Sequence, residues 1–415
     1  MTGVPRRRLL LVAVALAIVA LGIVATKNRD ALIPAARLST DHTIVVETIE
    51  MGDRFVWGIT IADFDGDGDD DFLVAGHGGR DHDRIFYYDG SGYLPGKFSF
   101  PRTADRHGCA AADVNEDGAL DVYCTSGAER GVGSNANELF LGHAGQQVFR
   151  RVNSHFGAED PYGRGRYTTF LSIDGTRSND LFATVWGPRN DDKPNESSLY
   201  RNTDGAFKRF DSRASGRWGG RCLIALDMDE DGASELAVCH DAVGASFLAN
   251  NGRGNFEAHT LPAKDAWWLA LAPFPNADTP PVSFGALVLD DKGGSLQQYL
   301  GSPAELTRRW PLRLLPGARA RRCIPTSLAL GVPKNMTEPA ALISRVQFDD
   351  KHYACREGDD LVLLGPDLSE FLPVPPSPWK TKAQVYALNG HFLRLTAGES
   401  WSGGLELLRV VPVAQ

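Results

Sequence analysis

The chain lacks the motifs that would assign it an activity at sight. It has no G-x-S-x-G nucleophile motif, no H-E-x-x-H and no phosphate-binding glycine loop, so no motif supports a hydrolase. It lacks a basic excess: 43 Lys and Arg stand against 52 Asp and Glu, a net charge of −9. Nothing in that balance suggests nucleic acid as a partner. With 24 Pro, 44 Gly and 23% charged residues the composition is ordinary for a globular protein. The 415 residues suffice for one large or two medium domains.

What the chain does have is a nine-residue stretch, Asp63 to Asp71 (DFDGDGDDD). It occurs again as Asp113 to Asp121 (DVNEDGALD) and as Asp227 to Glu235 (DMDEDGASE). In all three an acidic or amide side chain stands at positions 1, 3, 5 and 9, with Gly at position 6. A hard cation such as calcium needs several oxygen ligands converging on one point; alternating Asp and Asn supply them, and the Gly lets the loop turn sharply. The candidate ligands are Asp63, Asp65, Asp67 and Asp71; Asp113, Asn115, Asp117 and Asp121; and Asp227, Asp229, Asp231 and Glu235. Position 7 (Asp69, Ala119, Ala233) would add a backbone carbonyl. An EF-hand loop starts the same way but requires a bidentate Glu at position 12 and a helix on each side. Position 12 here is Val74, Cys124 and Val238, and the flanks (ITIA and FLVA, CAAA and VYC, LIAL and LAV) are short apolar runs. Each loop therefore joins two β-strands, and position 9 closes the site.

The stretches DFDGDGDDDFLVA, DVNEDGALDVYC and DMDEDGASELAV resemble the FG-GAP/VCBS repeats, the family that includes the integrin α-subunit propeller. A second recurring element, LYRNTDGAFKRF and SFLANNGRGNFEAH, adds to the likeness. The resemblance implies a calcium-binding β-propeller. It is specific for the fold and poor for the function, because such propellers serve many tasks.

Spacing sets the architecture. The acidic loops begin at 63, 113 and 227, and the last gap holds one degenerate unit, FLSIDGTRSNDLFATV. Aligning Asp180 with position 9 puts Ser172, Asp174 and Thr176 at positions 1, 3 and 5 and Arg177 where Gly should stand, so this loop is expected to hold no metal. Strand pairs without acidic loops follow from 267, 324 and 383. The expected fold is all-β: a seven-bladed propeller over 42–415, closed by the spare strand 43–50 pairing with the last blade, which removes open edges.

Before it come a basic segment 1–8, an apolar run 9–25 and a linker 26–41. Seventeen residues without a charge read as a transmembrane signal-anchor helix, with a cleaved signal peptide as the alternative; no A-x-A site follows the run. Three arginines ahead of it hold the N-terminus in the cytoplasm. The propeller is then expected outside the cytoplasm, periplasmic or extracellular, tethered to the membrane or secreted if the segment is cleaved. The six cysteines suit that compartment. Cys109 with Cys124 and Cys222 with Cys239 flank the second and third acidic loops in the same register, which predicts two cross-strand disulfides. Cys323 with Cys355 remains by elimination, and buried free thiols are the alternative.

In such a meander the acidic loops share one end, and the entries to each first strand gather at the other. Those entries carry Arg54 and Trp57, Arg106 and His107, Arg166 and Tyr167, Trp218 and Arg221, Trp268, and Arg322. A basic, aromatic-lined mouth suits an acidic glycan or a protein ligand; the opposing reading pairs these cations with nearby acids such as Asp53, Asp105 and Asp265. Three functions follow from the whole chain: a ligand-binding or adhesion module, a lyase-like enzyme acting on acidic glycans, or a purely structural scaffold.

Overall fold

The computed structural model describes residues 37–38, 41–49, 55–77, 83–101, 105–127, 136–161, 163–176, 179–185, 196–210, 223–226, 231–240 and 244–260. Farther on it describes 268–273, 284–289, 295–299, 306–311, 322–325, 353–357, 360–364, 370–374, 382–389, 391–397 and 403–413. The apolar run 9–25 lies outside these residues, and among them no helix is long and apolar enough to cross a membrane.

The described residues are all-β. The first sheet is built from Phe55–Ala62, Asp71–His77, Arg84–Tyr88 and Tyr93–Pro95 in chain order, each strand paired with the next. The second comprises Arg106–Ala112, Asp121–Ser126, Glu138–His143 and Gln146–Arg151; the third Gly165–Leu171, Asp180–Val185, Ser198–Thr203 and Ala206–Phe210; the fourth Leu223–Leu226, Glu235–His240, Gly244–Asn250 and Phe256–Thr260. A fifth runs over Trp268–Pro273, Phe284–Leu289, Ser295–Tyr299 and Leu306–Pro311. A sixth runs over Arg322–Pro325, Tyr353–Glu357, Asp360–Leu364 and Glu370–Val374, with Arg37–Leu38 added in parallel at its edge. The last holds Lys382–Leu388, His391–Ala397 and Gly403–Pro412, and its fourth strand is His42–Ile49, antiparallel to Gly403–Pro412. An early strand and a late strand thus meet in one sheet.

Burial is graded across each sheet. The second strands Asp121–Ser126 and Asp180–Val185 are buried at every residue, whereas the outer strand Gln146–Arg151 buries only Phe149. Alternate side chains of one strand point to opposite faces, and here each face meets a different neighbour. Val122, Cys124 and Phe140 join Phe64, Leu73, Ile85 and Phe100 in a core between the first and second sheets. Tyr123 and Leu139, from the same strands, join Leu181, Ala183, Tyr200 and Phe207 in the next core. Phe182 and Leu199 then meet Leu236, Val238 and Leu248. Phe72, Val74 and Phe86 pack on Leu393, Leu395 and Leu405, so the first and last sheets share a core as well. Faces buried on both sides by successive sheets are the packing of propeller blades.

Cys109 and Cys124 are Cα partners across the first hairpin of the second sheet and are joined by a disulfide. Cys323 and Cys355 are Cα partners at the corresponding hairpin of the sixth sheet. Cys222 lies outside the described residues; Cys239 is placed as a strand position opposite Ala245.

Candidate metal centre

The first acidic loop, between Phe55–Ala62 and Asp71–His77, is ordered from within. Asp63 accepts the backbone N–H groups of Gly66, Asp67 and Gly68 at 2.7, 3.0 and 2.9 Å. Asp67 accepts Asp69 N–H at 2.9 Å. Gly68 at position 6 has φ +95°, a left-handed conformation open to Gly at little cost. Gly118 and Gly232 repeat it with φ +84° and +89°.

One ligand oxygen from each of Asp63, Asp65 and Asp71 lies within 4.8 Å of the others. The Asp65 Oδ1 is buried without a hydrogen-bond partner, while its Oδ2 accepts Gln147 Nε2 of the second sheet at 3.0 Å. Burial pushes the Asp71 carboxyl up to about 7; the charges of Asp65 and Asp67 act in the same direction, against hydrogen bonds from Tyr88 and Phe64. Three hard oxygen donors converge here, one of them orphaned, and the set fits calcium chemistry. Of the remaining predicted ligands, Asp67 is exposed and Asp69 half-buried, and neither belongs to this convergent trio.

The second loop copies the first. Asp113 accepts Asp117 and Gly118 N–H groups at 3.0 and 2.8 Å, and Asp117 accepts Ala119 N–H at 3.0 Å. Asn115 donates to Asp117 Oδ2 at 3.0 Å. In the next predicted site, Asp227 and Asp229 lie outside the described residues. Asp231 accepts Ala233 N–H at 2.8 Å, as its counterparts do, and Glu235 is buried at the head of its strand.

Position 9 has a role that sequence reasoning missed. Asp71 Oδ2 accepts Phe64 N–H and its Oδ1 accepts Tyr88 N–H, both at 2.9 Å. Asp121 does the same to Val114 and Gly142, at 3.0 and 2.9 Å. Asp180, in the loop without a full ligand set, does it to Ile173 and Asn202 at 3.1 and 2.8 Å. The closing aspartate therefore staples its loop to the third strand whether or not a metal set surrounds it.

In that degenerate loop Arg201 Nη1 donates to Asp174 Oδ2 at 2.7 Å, and its guanidinium lies 4.9 Å from the Phe210 ring centroid. Thr176 Oγ1 also donates to Asp174, and with Arg201 it holds that carboxyl below its ordinary value, Thr176 being the larger cause. The protein's own cation sits on the position-3 carboxylate.

Toward the opposite end, three of the residues expected on a ligand face are buried. Arg106 is 1% exposed, ion-paired with Asp83 at 2.6 Å and with Glu138, and its guanidinium lies 5.5 Å from the ring centroids of both Phe100 and Phe140. His107 and Arg166 are buried against each other, with Arg166 Nη1 on His107 Nδ1 and Asp105 on Nε2 at 3.1 Å. Because Arg can only donate, His107 Nδ1 is the acceptor and Nε2 carries the proton that Asp105 receives. A bulge stands at the same place in three first strands: register shifts between Val56 and Gly58, Arg106 and Gly108, and Gly165 and Thr168. A bulge re-aims its side chain, and in the second and third sheets the side chains beside it are buried. Tyr167 is half-buried, its backbone N–H on Thr184 Oγ1 at 3.0 Å. Arg54, Trp218 and Arg221 lie outside the described residues; Trp57, Trp268 and Arg322 are placed as strand positions.

Comparison with known proteins agrees with the fold. No curated protein matches the chain. Among solved structures it is similar to BBS1N in complex with ARL6DN, soaked with mercury: 8% identity, 92% of this chain and 99% of that one, TM-score 0.50. It is also similar to YCF48 bound to D1 peptide (11% identity, 90% and 99% covered, TM-score 0.49) and to the β-propeller domain of Myceliophteria thermophila Cps50 (Swd1) (9%, 89% and 100%, TM-score 0.46). Identities this low speak to fold alone. The model of the FG-GAP-like repeat matches residues 53–124, which contain the first two acidic loops. The molecule is a β-propeller carrying FG-GAP-like repeats.

Proposed function

We propose that this protein is a calcium-stiffened, seven-bladed β-propeller that serves as a ligand-binding module. The observation that carries the reading is the convergence of Asp63, Asp65 and Asp71, one of whose oxygens, Asp65 Oδ1, is buried without a hydrogen-bond partner. Calcium there would be held by these carboxylates, and in the second loop by Asp113, Asn115, Asp117 and Asp121; it would supply positive charge that relieves the mutual repulsion of the carboxylates. The blade count rests on seven sheets among the described residues. Tethering by residues 9–25 and an extracytoplasmic site complete the reading, since calcium is plentiful there. The ligand, a protein or an acidic glycan, would bind away from the acidic loops. Arg106, His107 and Arg166 are buried, so a ligand would meet other residues of that end.

The test is thermal unfolding of the protein in calcium and in chelator. A cation bound only by the folded state at one hundred times its Kd stabilises by about 2.7 kcal/mol, so a clear rise in midpoint is expected. Asp65→Ala should erase most of that rise while leaving the midpoint in chelator nearly unchanged. An identical midpoint in both buffers would sink the calcium reading.

A further inference from the structure

We propose that the first acidic loop is the latch of the seam between the first and last sheets: a cation held by Asp63, Asp65 and Asp71 tightens the docking of the Asn389 turn, and the docked turn raises the loop's affinity for the cation. The proposal rests on the calcium reading above and adds what that site regulates.

The contact is specific. Asn389, in the turn between Lys382–Leu388 and His391–Ala397, receives Asp70 N–H on its Oδ1 at 2.8 Å and donates from Nδ2 to the Asp70 carbonyl at 2.7 Å. One side-chain amide thus pairs with both polar groups of one backbone residue, as a strand would. Asn389 Nδ2 also donates to Tyr93 Oη at 3.0 Å, and Tyr93 Oη donates to the Asp70 carbonyl at 3.2 Å. Asp70 is position 8 of the loop; its neighbours are the position-7 carbonyl and the closing Asp71. Fixing the Asp70 peptide therefore fixes the closing end of the loop, beside the ligand Asp71 that meets Asp63 and Asp65. Asn389 itself has φ +48°, a left-handed turn conformation that Asn tolerates and that aims its amide at the loop.

The second loop is held differently. Asn179 donates to the Asp113 carbonyl and Asn202 to the Val114 carbonyl, at 2.9 and 2.7 Å, both at the start of that loop. At the seam of the first and last sheets the contact instead grips position 8, next to the closing Asp71, while Gln147 of the second sheet reaches Asp65 on the other side of the same loop. The same seam shares a core, Phe72 and Val74 with Leu393 and Leu395. The last sheet pairs the early strand His42–Ile49 with the late strand Gly403–Pro412. Coupling between sites is reciprocal, so whatever calcium adds to the seam, the seam adds to calcium binding.

The experiment uses the full chain, stripped of metal, with calcium as the probe. Calcium binding is followed by calorimetry and backbone opening by hydrogen exchange with mass spectrometry. Calcium should slow exchange in 382–397, 403–412 and 42–49 by about five-fold or more, the lower end of ordinary coupling. Asn389→Gly keeps the left-handed turn and removes the amide; it should weaken the first-loop affinity about five-fold and abolish the calcium-dependent protection of 382–397. Tyr93→Phe, a milder change, should shift both quantities in the same direction by less. Asn202→Ala, which removes a contact to the second loop and none to the seam of the first and last sheets, should leave protection of the last sheet intact. If calcium binds and protects 63–71 but leaves 382–397 exchanging as before, the latch is overturned while the calcium reading stands. Failure of the unmodified protein to bind calcium would overturn both.

Discussion

The loop at 63–71 and the loop at 172–180 occupy equivalent places in the first and third blades and solve the same electrostatic problem in opposite ways. Both end in a buried aspartate that staples position 2 to the third strand. The first surrounds it with carboxylates and leaves one oxygen without a partner. The other has shed its acids at positions 1 and 5 and brings in Arg201 to neutralise the acid that is left. The staple is thus the fixed part of the hairpin, and the source of positive charge is the variable part.

The largest expected effect tests the staple. Asp71→Ala and Asp180→Ala each strand two backbone N–H groups; an unsatisfied buried group costs about 1–3 kcal/mol. Both should therefore lose about 3 kcal/mol in denaturant unfolding in chelator. Adding calcium should separate them, with Asp71→Ala showing the smaller rescue by the metal. Equal behaviour in both buffers would mean that Asp71 is a staple only.

A smaller effect concerns pH. Burial raises the Asp180 carboxyl above its ordinary value, with the Asn202 and Ile173 hydrogen bonds opposing. Between the ordinary and the raised value the folded state keeps a proton that the unfolded chain has lost. Its contribution is therefore most favourable at low pH, falls as pH rises through that window and is level above it. Asp180→Asn should remove this fall from the stability-versus-pH curve of the unmodified protein; parallel curves would contradict it.

The smallest effect is at Arg201. It is 40% exposed and its partner Asp174 21%, so solvent screens the pair and Arg201→Leu should cost at most about 0.5 kcal/mol. The loss should shrink further in high salt and be indifferent to calcium. A calcium-dependent loss would mean that this loop, too, holds a cation.

Much of the fold was legible because it is written in local pattern. The alternation of Asp and Asn, the position-6 glycine and the apolar flanks identify a loop between two strands without reference to anything distant, and repetition of that unit identifies the architecture. The fate of the strand entries was not legible. Arg106 and His107 sit where a ligand face was expected, yet both are buried, and neither their distant partners nor the bulge after Arg106 is visible as composition. The partners of the acidic loop were equally hidden, since Asn389 lies 319 residues from Asp70. Its Asn-Gly dipeptide, Asn389-Gly390, was the one local signal: it marks a tight turn. Arg201 could have been suspected from the recurring element LYRNTDGAFKRF, where a cation follows the apolar run.

The fourth strand of the last sheet also sets a timetable. Glu47 on His42–Ile49 meets Arg409 across 362 residues of chain. At 5–20 residues per second, a ribosome takes roughly 20–70 s to deliver the second partner after the first. Throughout that interval the early strand has no mate, and its exposed Val45 faces solvent beside an unpaired edge. Bringing such distant ends together costs about 5 kcal/mol of chain entropy by the usual logarithmic law. The interior blades can assemble from near neighbours as they emerge, whereas this sheet is completed last. Nascent chains stalled before residue 403 would carry one orphan strand each, and an orphan strand's readiest substitute is the same strand on another copy.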